Sequence, residues 1–195
     1  MPAPLRLAPA LLALALTACG ESASTPRSTT WTAVEEAALT PGQKAQRAKA
    51  DDERQALFGR LMGRLTEAMG AGGPAGAVTV CQHEAHGLAA AVAKEKGVAI
   101  GRTSHQLRSP LNAPPDWARP LVDARRSTPA FVAHPDGRLG VLEPIRLKAA
   151  CLACHGDPAA IAPAVKEALA KDYPRDEATG FREGDLRGWF WVEVP

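Results

Sequence analysis

The sequence predicts an α+β fold, in which an antiparallel sheet is flanked by helices and a long helix lies near the N-terminus. Apolar residues first recur at helical spacing, over about residues 40–96, and the alternation typical of strands comes later in the chain. No strand–helix–strand alternation and no internal repeat is visible, so the helices are expected to precede and interrupt a small antiparallel sheet. The 195 residues, 46% of them hydrophobic, suffice for one domain with a core.

The first helix is predicted to begin after Thr40. The stretch Thr40-Pro41-Gly42-Gln43 combines an N-cap threonine, a proline at the first helical position and a glutamine that completes a capping box. The helix runs to about Met69, and the glycine-rich residues 70–76 end it. A second helix is expected over 77–96, with Gly97 as its C-cap.

The second half of the chain predicts a small sheet with two helices. A tight turn at Pro135-Asp136-Gly137-Arg138, between two apolar runs, indicates a β-hairpin. The expected elements are a strand at 98–103, a helix at 116–126, hairpin strands at 131–134 and 139–142, a strand at 145–148, a helix at 159–171 and a terminal strand at 185–194.

Residues 1–18 are typical of a bacterial lipoprotein signal peptide. Their apolar run is too short to span a bilayer, and Leu16-Thr17-Ala18-Cys19 matches the motif in which the cysteine is lipidated. We therefore expect an exported lipoprotein, anchored to a membrane through Cys19 on its periplasmic or extracytoplasmic side. The alternative is an ordinary secretory signal cleaved after Ala18. Residues 19–39 are expected to be a flexible tether and residues 40–195 the folded domain.

The composition limits the classes of function that the chain can have. The formal net charge is +2 with both signs mixed along the chain, which gives no reason to expect nucleic-acid binding. Aromatic residues make up only 5%, so the core must combine small aliphatic side chains with something large. A haem would fill that role.

The stretch Cys151-Leu152-Ala153-Cys154-His155 has the C-x-x-C-H spacing of a c-type haem attachment site. Its two thiols can form thioethers with the haem vinyl groups, and Nε2 of the adjacent His155 can bind the iron. We therefore expect one covalently attached haem c. Export agrees with this prediction, because haem c is attached outside the cytoplasm.

Three other interpretations of these cysteines compete with haem. A thioredoxin-like pair needs a strand–helix–strand setting that is not seen, and a simple disulfide leaves one mature thiol over. A structural zinc site is the strongest of the three, because a Cys₃His set is available in Cys81, Cys151, Cys154 and His155. The exported location argues against zinc.

The motif does not fix the second axial ligand. The candidates are Cys81, His83, His86, His105, His134, Met62 and Met69. The two methionines are expected in the core, His134 in solvent beside a turn, and His83 on a polar helix face. Cys81 lies on the apolar face of its helix, but a buried free cysteine is an equally good interpretation of it.

Several stretches together resemble a family of small c-type haem domains, long catalogued as a domain of unknown function. They are Val80-Cys81, Gly101 to Ser104, Leu107 to Pro114, Cys151 to Asp157, Tyr173 to Gly180 and Gly184 to Gly188. Members of that family resemble PAS domains and occur alone or as sensory input modules. The resemblance implies a PAS-like antiparallel sheet, and axial ligation by His155 and by the cysteine at position 81.

The implied ligand pair predicts a low-potential haem. A thiolate opposite histidine donates charge to the iron and stabilises its ferric state. On reduction the thiolate can protonate and leave, which would open a position for CO or NO. Arg102 and Arg108 are expected to pair with the haem propionates, because guanidinium suits carboxylate; ordinary surface arginines are the alternative.

Two functions are compatible with such a haem: redox or gas sensing, and electron transfer by a membrane-tethered monohaem shuttle. No enzymatic activity is expected, because a six-coordinate iron has no open site and no distal acid–base pair is visible. No output segment follows Val194, so a sensor is expected to act through a separate redox or signalling protein.

Overall fold

A computed structural model describes residues 30–195. The predicted signal peptide, the lipidation residue Cys19 and the tether up to residue 29 lie outside the described residues. Within residues 30–195, no helix combines the length and the apolar character that a membrane span requires.

The described chain contains helices and a five-stranded antiparallel sheet, which is the α+β fold that the sequence predicts. The strands are β1 (Thr32–Val34), β2 (Ala99–Thr103), β3 (Ala130–Ala133), β4 (Leu139–Arg146) and β5 (Leu186–Val194). The helices are α1 (Pro41–Lys96), α2 (Arg119–Asp123), α3 (Leu152–His155) and α4 (Pro163–Asp172), with 3-10 turns at Glu36–Ala38, Pro110–Asn112 and Ala149–Cys151. The closer kinship with PAS domains stays a prediction.

Helix α1 is a hairpin with two arms, residues 41–72 and 74–96. Thr40 caps it as predicted: its hydroxyl accepts a hydrogen bond from the Gln43 amide, and the Gln43 side chain accepts one from the Thr40 amide. The chain breaks from helical geometry at Gly73, whose backbone (φ 63°, ψ −168°) lies in a region open to glycine only. The predicted glycine-rich break is therefore confined to one residue.

Ion pairs join the two arms side by side. Arg60 lies 2.5 Å from Glu95, and Arg64 lies 2.6 Å from Glu84. The earlier arginine, Arg60, pairs with the later glutamate, and the later arginine, Arg64, pairs with the earlier one. The two arms therefore run antiparallel. The side chains are solvent-exposed, so the two pairs add little to the free energy of unfolding and mainly mark which faces of the arms meet.

The strands form one antiparallel sheet in the order β1-β3-β4-β5-β2. The predicted hairpin is β3 and β4, and the predicted terminal strand is β5. The N-terminal boundary is corrected: residues 32–34 pair with β3, so the fold begins at Thr32 and not near Thr40. A three-residue edge strand gives too short an alternation to be recognised beside a Ser/Thr-rich stretch.

Trp31 fastens this N-terminal edge to the sheet. Its ring centroid lies 5.7 Å from that of Trp117 and 5.0 Å from the His134 ring, and the Arg138 guanidinium lies 5.1 Å from the Trp31 centroid. The sequence predicts His134 in solvent, but its side chain is only 14% exposed and lies 2.7 Å from Asp136. The aromatic contact covers the histidine, which turn chemistry alone does not reveal.

Each face of the sheet buries its own core. One face packs against α1 and contributes Ile100, Leu139, Val141, Phe190 and Val192. The other face packs against α2 and the loop before it, and contributes Val132, Leu142 and Trp189.

The apolar face predicted for the second arm of α1 is confirmed, because Val78, Ala85 and Val92 are buried. Met62 and Met69 correct a prediction. Instead of lying in the core they are 39% and 38% exposed, because they lie on the part of the first arm that neither the second arm nor the sheet covers.

A β-bulge interrupts β5. Between Ile145 and Arg146 strand β4 advances by one residue while β5 advances by two, which leaves Arg187 as the extra residue. The neighbouring Gly188 permits this geometry, because a Cβ atom there would lie 2.2 Å from the Thr103 carbonyl oxygen. The bulge therefore takes Arg187 out of the regular ladder and depends on a residue without a side chain.

Replacing Gly188 with alanine should lower the free energy of unfolding by about 1–3 kcal/mol, because β2 and β5 must separate locally to admit the methyl group. Urea denaturation measures this. The matched control is Gly59→Ala: Gly59 is helical and has open space where the methyl group would lie, so that change should raise stability by about 0.5–1 kcal/mol. Equal effects of the two substitutions would contradict the close approach at Gly188.

Candidate functional site

The C-x-x-C-H motif occupies one turn of helix between two apolar clusters. The turn at Ala149–Cys151 leads into α3, which ends at His155. Cys151 packs against the cluster of Leu147, Ala178 and Phe181. Cys154 packs on a different cluster, formed by Val78, Ile161, Val165 and Leu169. Both thiols are half-buried and are not in a disulfide, so α3 is wedged between two cores with both sulfur atoms available.

A segment at residues 178–181 holds the C-terminal end of α3. The Phe181 amide donates to the His155 carbonyl at 3.0 Å, and the Gly180 amide donates to the Gly156 carbonyl at 2.7 Å. These bonds satisfy carbonyl groups that a helix end otherwise leaves unpaired. The motif is thus held by backbone hydrogen bonds as well as by apolar packing.

The His155 ring is oriented by a backbone carbonyl. Its Nδ1 lies 2.7 Å from the Ala178 oxygen, and a carbonyl only accepts, so Nδ1 carries the hydrogen and Nε2 keeps the lone pair that a metal requires. Arg187 Nε lies 3.3 Å from the same Nδ1, but two donors cannot form a hydrogen bond, so this is only a contact. Burial, and then the charges of Arg108 and Arg187, lower the His155 pKa to about 3, which keeps the imidazole neutral.

Cys81 lies on the second arm of α1 and faces the same region. It is half-buried, and burial raises the pKa of its thiol against the opposing effect of Arg102 and Arg108. Burial raises the pKa of Cys154, and the nearby Cys81 thiol group contributes to the increase. Burial is also the main cause, and Cys81 the next, of the rise in the pKa of Tyr173 to about 12. These mutual effects place the predicted second ligand among the residues around the motif.

Arg108 is a clamp between α3 and the segment that follows α4. Its guanidinium pairs with Asp176, with Nη2–Oδ2 at 3.1 Å, and the two side chains are 12% and 9% exposed. Its Nη2 also donates to the Cys154 carbonyl at 2.5 Å and to the Ala178 carbonyl at 3.1 Å. Tyr173 covers the guanidinium, with its ring centroid 5.9 Å away. The arginine therefore supports the two backbone groups on which the position of His155 depends.

Arg102 and Arg187 lie in the same region without a carboxylate partner. Arg187 Nη1 donates to the Ser104 hydroxyl at 2.8 Å and to the Gln106 carbonyl at 3.1 Å, both neutral acceptors. The Arg102 side chain takes part in none of the hydrogen bonds or ion pairs found within residues 30–195. Burial lowers the pKa of both, that of Arg187 to about 10, and the neighbouring arginines contribute to the lowering at Arg187.

A cavity of about 230 Å³ opens beside this cluster. Arg108, Tyr173 and Leu111 contribute to its wall, together with Gln82 and His86 from the second arm of α1. Gln82 Oε1 and His86 Nε2 are buried and have no hydrogen-bond partner among the protein atoms of residues 30–195. Two polar atoms of the second arm are therefore buried beside the cavity without a protein partner among the described residues.

The arrangement disfavours a single small ion. Among the described residues, no three or more His, Cys, Asp or Glu side chains lie close enough together to hold one metal ion, and this includes the Cys₃His set considered for zinc. The thiols and the imidazole thus share a region without converging on one point. Of the other candidate ligands, His83 is exposed as predicted, and His105 packs between Phe181 and Trp189.

The family model described as Tll0287-like matches residues 17–195. The chain belongs to the Tll0287-like family. Among solved structures it is similar to the crystal structure of the cyanobacterial heme-protein Tll0287, with 25% identity and a TM-score of 0.56 over 80% of this chain and 97% of that chain. No curated protein matches.

The structure of this Tll0287-like chain brings in three residues that sequence reasoning did not single out as site residues: Tyr173, Asp176 and Arg187. The first two lie in the stretch Tyr173 to Gly180 and the third in Gly184 to Gly188, both of which contributed to the family resemblance. Their place in these stretches was the signal by which the sequence could have marked them as site residues. The sequence did not reveal their roles, because the partner of Asp176 lies 68 residues away and the position of Arg187 depends on a bulge.

Asp176→Asn should lower the free energy of unfolding by about 3 kcal/mol, because it leaves the Arg108 charge largely buried without its counter-ion. Asp51→Asn is the matched control: Asp51 pairs with Arg54 but is 54% exposed, so its loss should cost less than about 1 kcal/mol. Chemical denaturation measures both. Equal costs would contradict the clamp.

The stability of the haem-free protein should rise with pH between about 3 and 6.5. Over that range unfolded chains bind a proton at His155 that the folded protein excludes, because its folded pKa is about 3. The His155 contribution is thus complete above pH 6.5 and lost near pH 3, with a slope of at most about 1.4 kcal/mol per pH unit. Urea midpoints of wild type and His155→Gln measure this, with the exposed His83→Gln as control. An unchanged slope in His155→Gln would contradict the assignment.

Proposed function

We propose that this chain carries one haem c, attached through Cys151 and Cys154 and ligated axially by His155 and Cys81. The observation that carries the proposal is the hydrogen bond from His155 Nδ1 to the Ala178 carbonyl. It fixes the imidazole in the tautomer whose Nε2 can bind iron, at the end of a C-x-x-C-H turn. Similarity to a protein described as a heme-protein supports the same proposal.

The donor set fits a haem better than a single ion. A porphyrin is wide, so its attachment thiols and its axial ligands need to surround one region without converging on one point, and the described residues do not converge on one. When bound, haem supplies a one-electron iron couple and, once an axial position is vacant, a site for a diatomic ligand.

We propose that the module senses redox state or a gas, without enzymatic activity of its own. Cys81 is the ligand that can be displaced. It belongs to a different element from the motif, and burial raises the pKa of its thiol, so as a free side chain it is neutral. His155 is held more firmly, by the Ala178 carbonyl and by the covalently attached turn on which it lies. Displacement at one face only would give the module two ligation states.

Electron transfer is the second candidate function. The observation that favours it is the rigid support of the motif: α3 is fixed between two apolar clusters and by two backbone hydrogen bonds. Little movement around a redox centre speeds electron transfer. In either case we propose an exported lipoprotein that is held at a membrane through Cys19 and exchanges electrons or signals with a separate protein.

Protein produced with haem-attachment machinery tests the proposal. Wild type and Cys81→Ala should both carry one covalent haem, whereas a variant with Cys151 and Cys154 replaced by serine should carry none. In Cys81→Ala the low-spin thiolate bands of the absorption spectrum should disappear, and in the control His86→Gln they should remain. Wild type without covalent haem would refute the attachment, and thiolate bands that persist without Cys81 would refute the axial assignment.

The same preparations separate the two functions. After chemical reduction, a sensor should bind CO, because Cys81 has left the iron. A carrier should stay six-coordinate, ignore CO and show a fast, reversible couple by voltammetry.

A further inference from the structure

The residues around the motif have an excess of positive charge. Three guanidinium groups, those of Arg102, Arg108 and Arg187, act on one another or on His155, yet among the described residues only one carboxylate pairs with any of them. That carboxylate is Asp176, and its partner is Arg108. Two positive charges in a half-buried region are therefore left without counter-ions, an arrangement that is costly unless an anion binds there.

The charge of Arg108 is already compensated by the Asp176 carboxylate. Its Nε and Nη2 already bond Asp176, and the same Nη2 bonds two backbone carbonyls of the motif region. The Arg102 guanidinium forms no hydrogen bond or ion pair within residues 30–195, and the Arg187 guanidinium has only neutral acceptors there. The arginines that remain available are thus Arg102 and Arg187.

Both available arginines come from the same end of the sheet. Arg102 lies on β2 opposite Phe190 of β5, and the bulge residue Arg187 lies three residues before Phe190 on the same strand. The hydrogen bonds from Arg187 to Ser104 and Gln106 join β5 to the chain that leaves β2. Two adjacent strands therefore carry the two cations, of which Arg187 contacts His155 directly.

We propose that Arg102 and Arg187 pair with the two haem propionates, and that Arg108 is a structural clamp and not a propionate ligand. This rests on the proposed haem binding. The sequence predicts Arg102 and Arg108 as the propionate partners, and the proposal puts Arg187 in place of Arg108. The charges balance: two propionates carry two negative charges, which match the two arginines that have no carboxylate.

The test compares two probes in the full chain produced without attachment machinery: haemin, which has two propionates, and haemin dimethyl ester, which has none. Wild type should bind haemin more tightly by about tenfold or more per arginine, since a charge-assisted hydrogen bond contributes at least that factor. Arg102→Gln and Arg187→Gln should each reduce the ratio of the two dissociation constants by about tenfold, and the double variant should bring it near one.

Two controls isolate the propionate contact. Arg182→Gln removes an exposed arginine directly after the 178–181 segment and should leave the ratio unchanged. Arg108→Gln should lower stability to urea yet also leave the ratio unchanged. If Arg187→Gln fails to fold, Arg102→Gln still tests the proposal through the ratio of the two dissociation constants. Arg187→Lys, which keeps the charge, should then retain the preference for haemin.

The outcomes separate the two proposals. Wild type that binds neither probe, or binds both equally, refutes the propionate assignment, whereas haem attachment itself is judged by the covalent haem content of the preparations described above. Wild type that prefers haemin, with a preference that survives the double variant or disappears in Arg108→Gln, refutes the assignment of Arg102 and Arg187 while leaving haem binding intact.

Discussion

The hydrogen bond between His155 Nδ1 and the Ala178 carbonyl is the constraint around which the site is organised. The Ala178 carbonyl can orient the imidazole only if its own position is fixed. Most of the neighbouring hydrogen bonds hold it in place. Asp176 accepts from the Ala178 amide at 2.8 Å, Arg108 donates to the Ala178 oxygen, and the Phe181 amide returns to the His155 carbonyl. The stretch after α4 therefore orients a ligand that lies earlier in the chain.

The sheet and the helical hairpin have different parts in the site. The sheet presents arginines from its β2–β5 edge, where the strands pair in register and the bulge directs one side chain. The hairpin presents Cys81 from an arm whose position depends on the core it shares with the sheet and with α4. The motif lies between them. With the proposed assignments, charge compensation and axial ligation would come from separate elements, which makes them separable by mutation.

What the sequence could predict follows the range of the interactions. The Thr40 cap, the apolar face that carries Cys81 and the β3–β4 hairpin are local patterns, and the structure has them. The clamp between Arg108 and Asp176 spans 68 residues and leaves no local trace. The bulge at Arg187 interrupts the alternation by which strands are recognised, and the edge strand at Thr32 is too short to be recognised by pattern. Resemblance to a family marked the motifs but not which of their side chains meet.

The placement of Cys81 has a consequence for how such a protein is made. The residues Cys151 to His155 are contiguous, so the proposed haem attachment could take place on an extended chain, and the bonds formed would survive later unfolding. Cys81 belongs to an arm that reaches the motif only when the hairpin has docked on the sheet and on α4. With the proposed ligands, colour alone would report that the cofactor is present, whereas the thiolate signature would report that maturation is complete. The same residue that sets the electronic state would then serve as an optical marker of correct assembly.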